Sequence, residues 1–349
     1  MDAFLELPPQ QQAELLERAA DELGLAPSAV EKDFWVCWVL RELFRMEGGE
    51  HLTFKGGTSL SKCWGLIQRF SEDIDLVVDR AVLGFDGDAA PEAGKSKRER
   101  GRRADSVVAA CRRHVGEVLL PALATATRDR LGQAHTPVVA LDPEDGGQQT
   151  ILFSYPSRFS GAGYLRPVVK IELGARSDTK PNEQREIRPY VAPAVSTGQD
   201  DYGFQVRAVA PERTFWEKVS LLHEMEFGEK GPTARLARHY YDLRCLDQKG
   251  VAASALSQPE LFAHVAEHRR LFFRRQAKAQ RALVVGSVRI VPAVERMPDW
   301  REDYDAMRDT MFFEEPPSFD AIMDCARDLE QKINQLGPSN ESVNKRSPR

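Results

Sequence analysis

Residues 54–77 read FKGGTSLSKCWGLIQRFSEDIDLV, and the fold turns on them. HLTFK, at 51–55, is a short apolar strand that stops at Gly56 and Gly57. TSLSKCWGLI then has helical character, and EDIDLVVD alternates as a half-buried strand does. Side chains alternate faces along a strand, so Asp73 and Asp75 point one way while Ile74 and Leu76 point into a core. The two carboxylates stand about 7 Å apart along the backbone and repel one another unless something positive lies between them. Such a pair suits a hard divalent cation, Mg²⁺ or Mn²⁺, which binds carboxylate oxygens and nucleotide phosphates together. Gly56 and Gly57 have no Cβ and admit a phosphate close to the backbone. Thr58 and Ser59 open the following helix, whose first N–H groups favour anions. A DxD alone, or a GG alone, is a weak signal. The order strand, GGTS, helix, loop, strand with DxD is far more specific.

Upstream, residues 9–24 and 28–46 carry helical periodicity. Ser28 is a candidate N-cap with Glu31 three residues on, the capping-box spacing. Phe34, Trp35, Trp38, Val39 and Leu43 recur at helical spacing and face a core. Downstream, 83–94 reads as a loop and 95–130 as one long basic helix. GQQTILFSYP and YLRPVVKIELGA read as strands. In the latter, Val169, Ile171 and Leu173 share one face, and Val168, Lys170 and Glu172 the other. Between 176 and 210 only short strand-like pieces appear. From Pro211 the pattern is helical, over 211–226, 234–248, 258–284, 300–312 and 318–336. The expected organisation is therefore an α/β half to residue 210, a helical half over 211–337, and a polar disordered tail at 338–349.

The chain has 349 residues, 42% hydrophobic and 29% charged, an ordinary globular balance. No apolar run reaches the roughly 18–20 residues of a membrane span, and the N-terminus lacks the pattern of a secretory signal. Five scattered cysteines with no CxxC pair suggest neither a zinc site nor a disulfide framework and fit reduced thiols in a cytoplasm. A net charge of −5 argues against a generally basic surface. Locally, 95–113 holds eight Lys/Arg against two acids, a net of +6. Lys95, Lys97, Arg98, Arg100, Arg102 and Arg103 carry most of it. Such a run adds affinity for an RNA backbone, though many such runs are only solvated helix faces. In the second cluster, 268–281, Leu271, Phe272 and Phe273 are better suited to burial.

The 54–76 motif resembles the first motif of the AbiEii-type nucleotidyltransferases, toxins of type IV toxin–antitoxin systems that include the MenT group. Their superfamily is that of DNA polymerase β-like nucleotidyltransferases. The resemblance extends to EKDFWVCWVLREL upstream and to ERTFWEKVSLLHEM and RHYYDL downstream, and so covers most of the chain. The spacing from Gly57 to Asp73 is longer than in the wider superfamily. The resemblance implies an α+β fold: a polymerase β-like nucleotidyltransferase core, a small mixed sheet with flanking helices, followed by a mainly helical C-terminal domain. It also implies an NTP substrate, metal on Asp73 and Asp75, a cognate antitoxin, and a tRNA 3′ end as acceptor.

Three further residues take roles from it. Glu172 matches a third carboxylate of the metal site; read alone, it is equally a surface glutamate paired with a neighbouring lysine. Lys218 matches a lysine that holds the nucleotide phosphates; read alone, it is an exposed helix lysine. Asp242 matches an active-site acid that orients or deprotonates the acceptor; read alone, it forms an i,i+4 pair with Arg238. The segment 227–235 has the composition of a flap or of an inert connection. Lys55 and Arg69 flank the motif and are equally phosphate contacts or strand-edge and loop charges, Glu31, Lys32 and Asp33 match a family motif and pin the N-terminal helix to the core, and His223 reads as a packed or surface histidine rather than a catalyst. The expected activity is transfer of NMP from NTP to a hydroxyl. Alternatives are a protein or small-molecule acceptor, or a non-catalytic nucleotide- or RNA-binding module.

Overall fold

The computed structural model describes residues 1–71, 73–132, 138–159, 166–195, 202–228, 232 and 234–336. Three helices precede the motif: α1 (Asp2–Leu5), α2 (Pro9–Leu23) and α3 (Pro27–Arg45). The motif itself is β1 (Leu52–Lys55), α4 (Gly56–Lys62) and β2 (Ile74–Val78). There follow α5 (Lys97–His114), α6 (Leu120–Leu131), β3 (Val138–Leu141), β4 (Thr150–Ser154), β5 (Val168–Gly174), β6 (Asn182–Ile187), α7 (Ala192–Val195) and β7 (Phe204–Val209). The seven strands form one mixed sheet in the order β3-β4-β5-β2-β1-β7-β6. β1 runs antiparallel to β2 and parallel to β7, and β2 runs parallel to β5. The protein is thus an α+β fold.

Contacts divide the chain into two units, Met1–Val209 and Ala210–Arg349. In the first, α3 packs on β5 and β7. The helix is buried on nearly every side, charged residues included, as befits a post through a core rather than a surface helix. Its aromatics meet those of the sheet: Trp35 stacks on Tyr155 with ring centres 5.4 Å apart, and Trp38 lies 5.5 Å from Phe153.

Several local expectations are corrected. α3 begins at Pro27 with Ala26 as N-cap, so Ser28 does not cap it. Proline fits the first helical turn because its missing N–H has no partner there anyway, and Glu31 is freed to bond Ser157 and the Arg158 N–H. α4 starts at Gly56, two residues before TSLSKCWGLI, and stops at Lys62. The 95–130 helix is interrupted by a π turn over Val115–Leu119. Pro121 follows at once, and its missing N–H and ring disrupt the regular ladder there. β3 was not legible: it lies at the sheet edge, with Val138 64% exposed, and its outward residues are as apolar as its half-buried ones, so no alternation shows.

The second unit is helical: α8 (Pro211–Glu226), α9 (Arg238–Gln248), α10 (Val251–Leu256), α11 (Pro259–Phe272), α12 (Ala277–Ala282), α13 (Met297–Met311) and α14 (Phe319–Asn334). Phe215, Trp216, Val219 and Leu222 of α8 are fully buried. The expected 258–284 helix is two helices. The break returns Gln280 to the Glu224 carboxylate, which also takes two 2.6 Å hydrogen bonds from Arg269. Phe272 is buried as expected. Residues 229–231 and 233 of the 227–235 segment, and the 338–349 tail, lie outside the described residues. Among the described residues no helix is long and apolar enough to cross a membrane, and the five cysteines are free thiols.

Trp38→Ala removes a wholly buried ring between Trp35 and Phe153. It is expected to cost about 3–5 kcal/mol, read as a lower urea midpoint by far-UV circular dichroism.

Candidate active site

β1 delivers the chain to Gly56, whose φ of +80° is a conformation that side-chain-bearing residues rarely adopt. The need for glycine is steric as well. A Cβ built on Gly56 would lie 2.1 Å from Oδ2 of Asp75, so the carboxylate rests directly against this α-carbon. A Cβ on Gly57 would meet Nη2 of Arg69 at 2.7 Å and Oγ of Ser71 at 2.9 Å. The two glycines therefore carry a carboxylate on one and a guanidinium on the other. The Thr58 hydroxyl donates to the Asp73 carbonyl (2.6 Å) and lies 2.8 Å from the Ser71 hydroxyl. That pair of contacts ties the first turn of α4 to the approach of β2. Thr58 and Ser59 are buried.

Register then lays out the acidic face. Asp75 pairs with Lys55 of β1 on one side and Glu172 of β5 on the other, and Glu172 pairs with Thr150 of β4. Residues directly opposite across strands share a face, so Lys55, Asp75, Glu172 and Thr150 form one row. Ile74, Leu76 and Val78 are buried. Asp73 and Asp75 are half-buried and share the opposite face. Glu172 is held by Lys170 at 2.7 Å, both about two-fifths exposed. The Glu172 hydrogen bond and charge, with Asp73 further off, raise the Lys170 ammonium above its usual range against partial burial. Glu172 thus stands beside Asp75 in register and is paired with a neighbouring lysine. Lys55 donates to Ser177 Oγ at 3.2 Å.

In the second unit, Lys218 of α8 is buried, which removes the reading of an exposed helix lysine. Its ammonium donates to Oδ2 of the fully buried Asp242 on α9 at 2.7 Å and lies 3.3 Å from His239 Nδ1. A partner 24 residues away on another helix was not legible from spacing on α9 alone. His223 is packed: Nδ1 accepts the Arg289 N–H at 2.9 Å, so Nε2 carries the proton and donates to the Ala279 carbonyl at 3.0 Å.

Sequence reading missed Ser71, Lys62 and Tyr190. Lys62 pairs with Asp33 at 2.7 Å, and Tyr190 N–H donates to the other Asp33 oxygen at 2.6 Å. The available signal was Asp33 itself, one of the charges beside the apolar run that starts at Phe34, which must find a partner if it is buried. Lys95, just ahead of α5, and Lys97, Arg98, Arg100 and Arg102 on it are exposed, while Arg103 is half-buried and bonds the Ala90 carbonyl and Glu99.

A sheet face with paired acids beside a glycine turn is the arrangement of a nucleotide-handling transferase. The sequence profile of the AbiEii nucleotidyl transferase toxins of type IV toxin–antitoxin systems matches residues 38–325, and the chain belongs to that family. Among solved structures it is similar to MenT4, a nucleotidyltransferase toxin from Mycobacterium tuberculosis H37Rv, at 18% identity over 94% of this chain and 92% of that one, with a TM-score of 0.49. No curated protein matches the chain. Membership makes the protein a nucleotidyltransferase toxin, which takes an NTP and a divalent metal and has an antitoxin partner.

The residues present fit a divalent metal. Asp73 and Asp75 are hard oxygen donors, and Asp75 occupies a cradle that a Cβ would fill. Among the described residues, no three metal-type side chains form a closed ligand set.

Gly56→Ala places a methyl group on the Asp75 carboxylate in a strained backbone and should lower nucleotidyl transfer by about 100-fold or more, with circular dichroism unchanged. For His223, burial pushes the imidazole below its usual range. The unfolded chain then binds the extra proton first. This histidine's contribution is therefore full above roughly pH 6.5 and is lost as the pH falls. Urea midpoints should drop between pH 7 and 5, and His223→Gln should flatten that part of the profile.

Proposed function

We propose that the protein transfers NMP from an NTP to the 3′-terminal hydroxyl of tRNA, with Mg²⁺, or Mn²⁺ in its place, as the metal. The observation that carries this reading is the Asp75 carboxylate seated on Gly56, in one row with Glu172. Asp73 and Asp75 would hold the metal, whose positive charge offsets that of the triphosphate. The main-chain N–H groups of Gly56, Gly57, Thr58 and Ser59 bind the phosphates where no Cβ intervenes. In the helical unit, Lys218 offers a point charge for phosphate and is kept oriented by the 2.7 Å hydrogen bond it donates to Asp242. The acceptor oxygen attacks the α-phosphorus as the bond to the β-phosphate oxygen breaks. Pyrophosphate leaves, and the acceptor proton passes to a carboxylate oxygen of the Asp75–Glu172 row. Holding both reactants in line accounts for most of the rate.

A macromolecular acceptor is favoured by the exposed basic residues of α5, which packs on β5, the strand of Glu172. Lys95, Lys97, Arg98, Arg100 and Arg102 offer phosphate contacts. Blocking tRNA ends would halt translation and growth, in the cytoplasm, until the antitoxin intervenes. The two units would then be a nucleotidyltransferase domain and a helical C-terminal domain.

Purified protein is incubated with Mg²⁺, each α-labelled NTP, and either total RNA or total protein. Label is expected in tRNA, and to vanish in Asp73→Asn and Asp75→Asn. Label in protein instead would replace the acceptor, and undiminished label in both variants would remove these carboxylates from the mechanism.

A further inference from the structure

Lys62 ends α4 at the pole opposite the glycine turn. Its side chain and that of Asp33 are only 5% and 6% exposed, and their charges meet at 2.7 Å. Tyr190 completes the cluster: its N–H donates to the second Asp33 oxygen at 2.6 Å, and the Lys62 ammonium stands 3.8 Å over its ring. Three segments distant in sequence therefore meet on one charge pair: α3, α4 and the segment after β6. Burial alone would lower the Lys62 ammonium, but Asp33, foremost among its neighbours, outweighs it and holds the group protonated.

Buried ion pairs give little net stability, because desolvation offsets their attraction, and apolar replacements are often as good. What such a pair does supply is fixed geometry. α4 has seven residues, about 10 Å of helix, so slack at Lys62 is passed almost undiminished to Gly56. At that end the tolerance is small, since Asp75 Oδ2 lies 2.1 Å from where a Cβ of Gly56 would be. The Thr58 bond to the Asp73 carbonyl pins the turn laterally. Nothing in that bond fixes the far end of the helix.

We propose that Asp33 and Lys62, keyed by Tyr190, are positioning residues that set the Gly56–Gly57 turn against the Asp75 carboxylate and so determine how tightly the site holds NTP. The inference rests on the reading of that turn as the phosphate cradle. Neither side chain touches the nucleotide. Each acts through α4.

The test uses the full chain with Asp33→Asn, Lys62→Met, the double variant, Asp75→Asn and Trp38→Ala. Thermal unfolding is measured beside equilibrium dialysis of each α-labelled NTP with Mg²⁺. Removing one partner leaves the other charge buried alone, so each single variant should lose roughly 5–15 °C in Tm. The double variant strands no charge and should regain most of that loss. NTP Kd should nonetheless stay raised about 10- to 100-fold in all three. Trp38→Ala should lose Tm with Kd unchanged. The proposal is overturned if Kd merely follows Tm across the set, or if the double variant binds NTP as the wild type does. Should the singles fail to fold, the double variant and Trp38→Ala decide alone. If the wild type binds no NTP, or Asp75→Asn binds it equally well, the cradle reading itself falls, a pattern independent of any change at Asp33 or Lys62.

Discussion

A carboxylate can rest this close to a main-chain α-carbon only if that carbon bears no side chain, and the acidic face of the sheet is organised around one such contact, Asp75 on Gly56. The contact takes a carboxylate partly out of water, which is costly without a counter-charge. The neighbours supply the balance. Lys55 stands beside Asp75 in register, Lys170 is bonded to Glu172, and Arg69 lies against Gly57. The face is therefore not a bare acidic patch: acids and bases alternate, and a metal with a triphosphate would enter a field already near neutrality.

α3 explains why the turn stays where it is. A helix buried on all sides is expected to be apolar, yet α3 carries Glu31, Lys32, Asp33, Arg41 and Glu42 inside. Each reaches a different segment: Glu31 the Ser157 hydroxyl, Lys32 the Arg166 carbonyl, Asp33 Lys62, Arg41 both Glu42 and Asp2, and Glu42 Arg130 at 3.0 Å. A buried charge left without a partner costs several kcal/mol, so each bond disfavours any packing in which that segment shifts. Apolar contacts alone, being non-directional, would leave such shifts cheap. The helix acts as a post with several pegs, one of which is Lys62.

The β1–α4–β2 motif was legible because its signals are local: an apolar strand, glycines at the turn, and an alternation that sorts Asp73 and Asp75 from Ile74 and Leu76. The fold class came from the family resemblance that this motif and its flanking segments carry. What could not be read were pairings across the chain. Lys218 and Asp242 were each named, but their mutual bond depends on the packing of α8 against α9. Asp33 was named only among the residues that pin the N-terminal helix, while its partner Lys62 looked like any helix-ending lysine. The π turn before Pro121 was missed because periodicity runs through it with little change of face. β3 escaped because its outward residues, Val138 and Ala140, are as apolar as the half-buried Val139 and Leu141, so the sequence carries no polar–apolar alternation.

Charge counting illustrates the same limit on α5. The run 95–113 sums to +6, with eight bases and two acids, and would be taken as one electrostatic surface. Within the fold its members divide by task. Arg100 bonds the Gly94 carbonyl, Arg103 the Ala90 carbonyl and Glu99, and Arg112 the Gly147 carbonyl, so these three brace the loops on either side of the helix. Glu99 caps the helix start, accepting from the Lys95 N–H while its own N–H donates to Ser96. A guanidinium bonded to a carbonyl keeps its charge but loses freedom to follow a moving phosphate. The adaptable part of the surface is therefore smaller than the count, centred on Lys97, Arg98 and Arg102. An RNA acceptor of the kind proposed would meet a few exposed cations set among braced ones, which favours its orientation over sheer strength of binding.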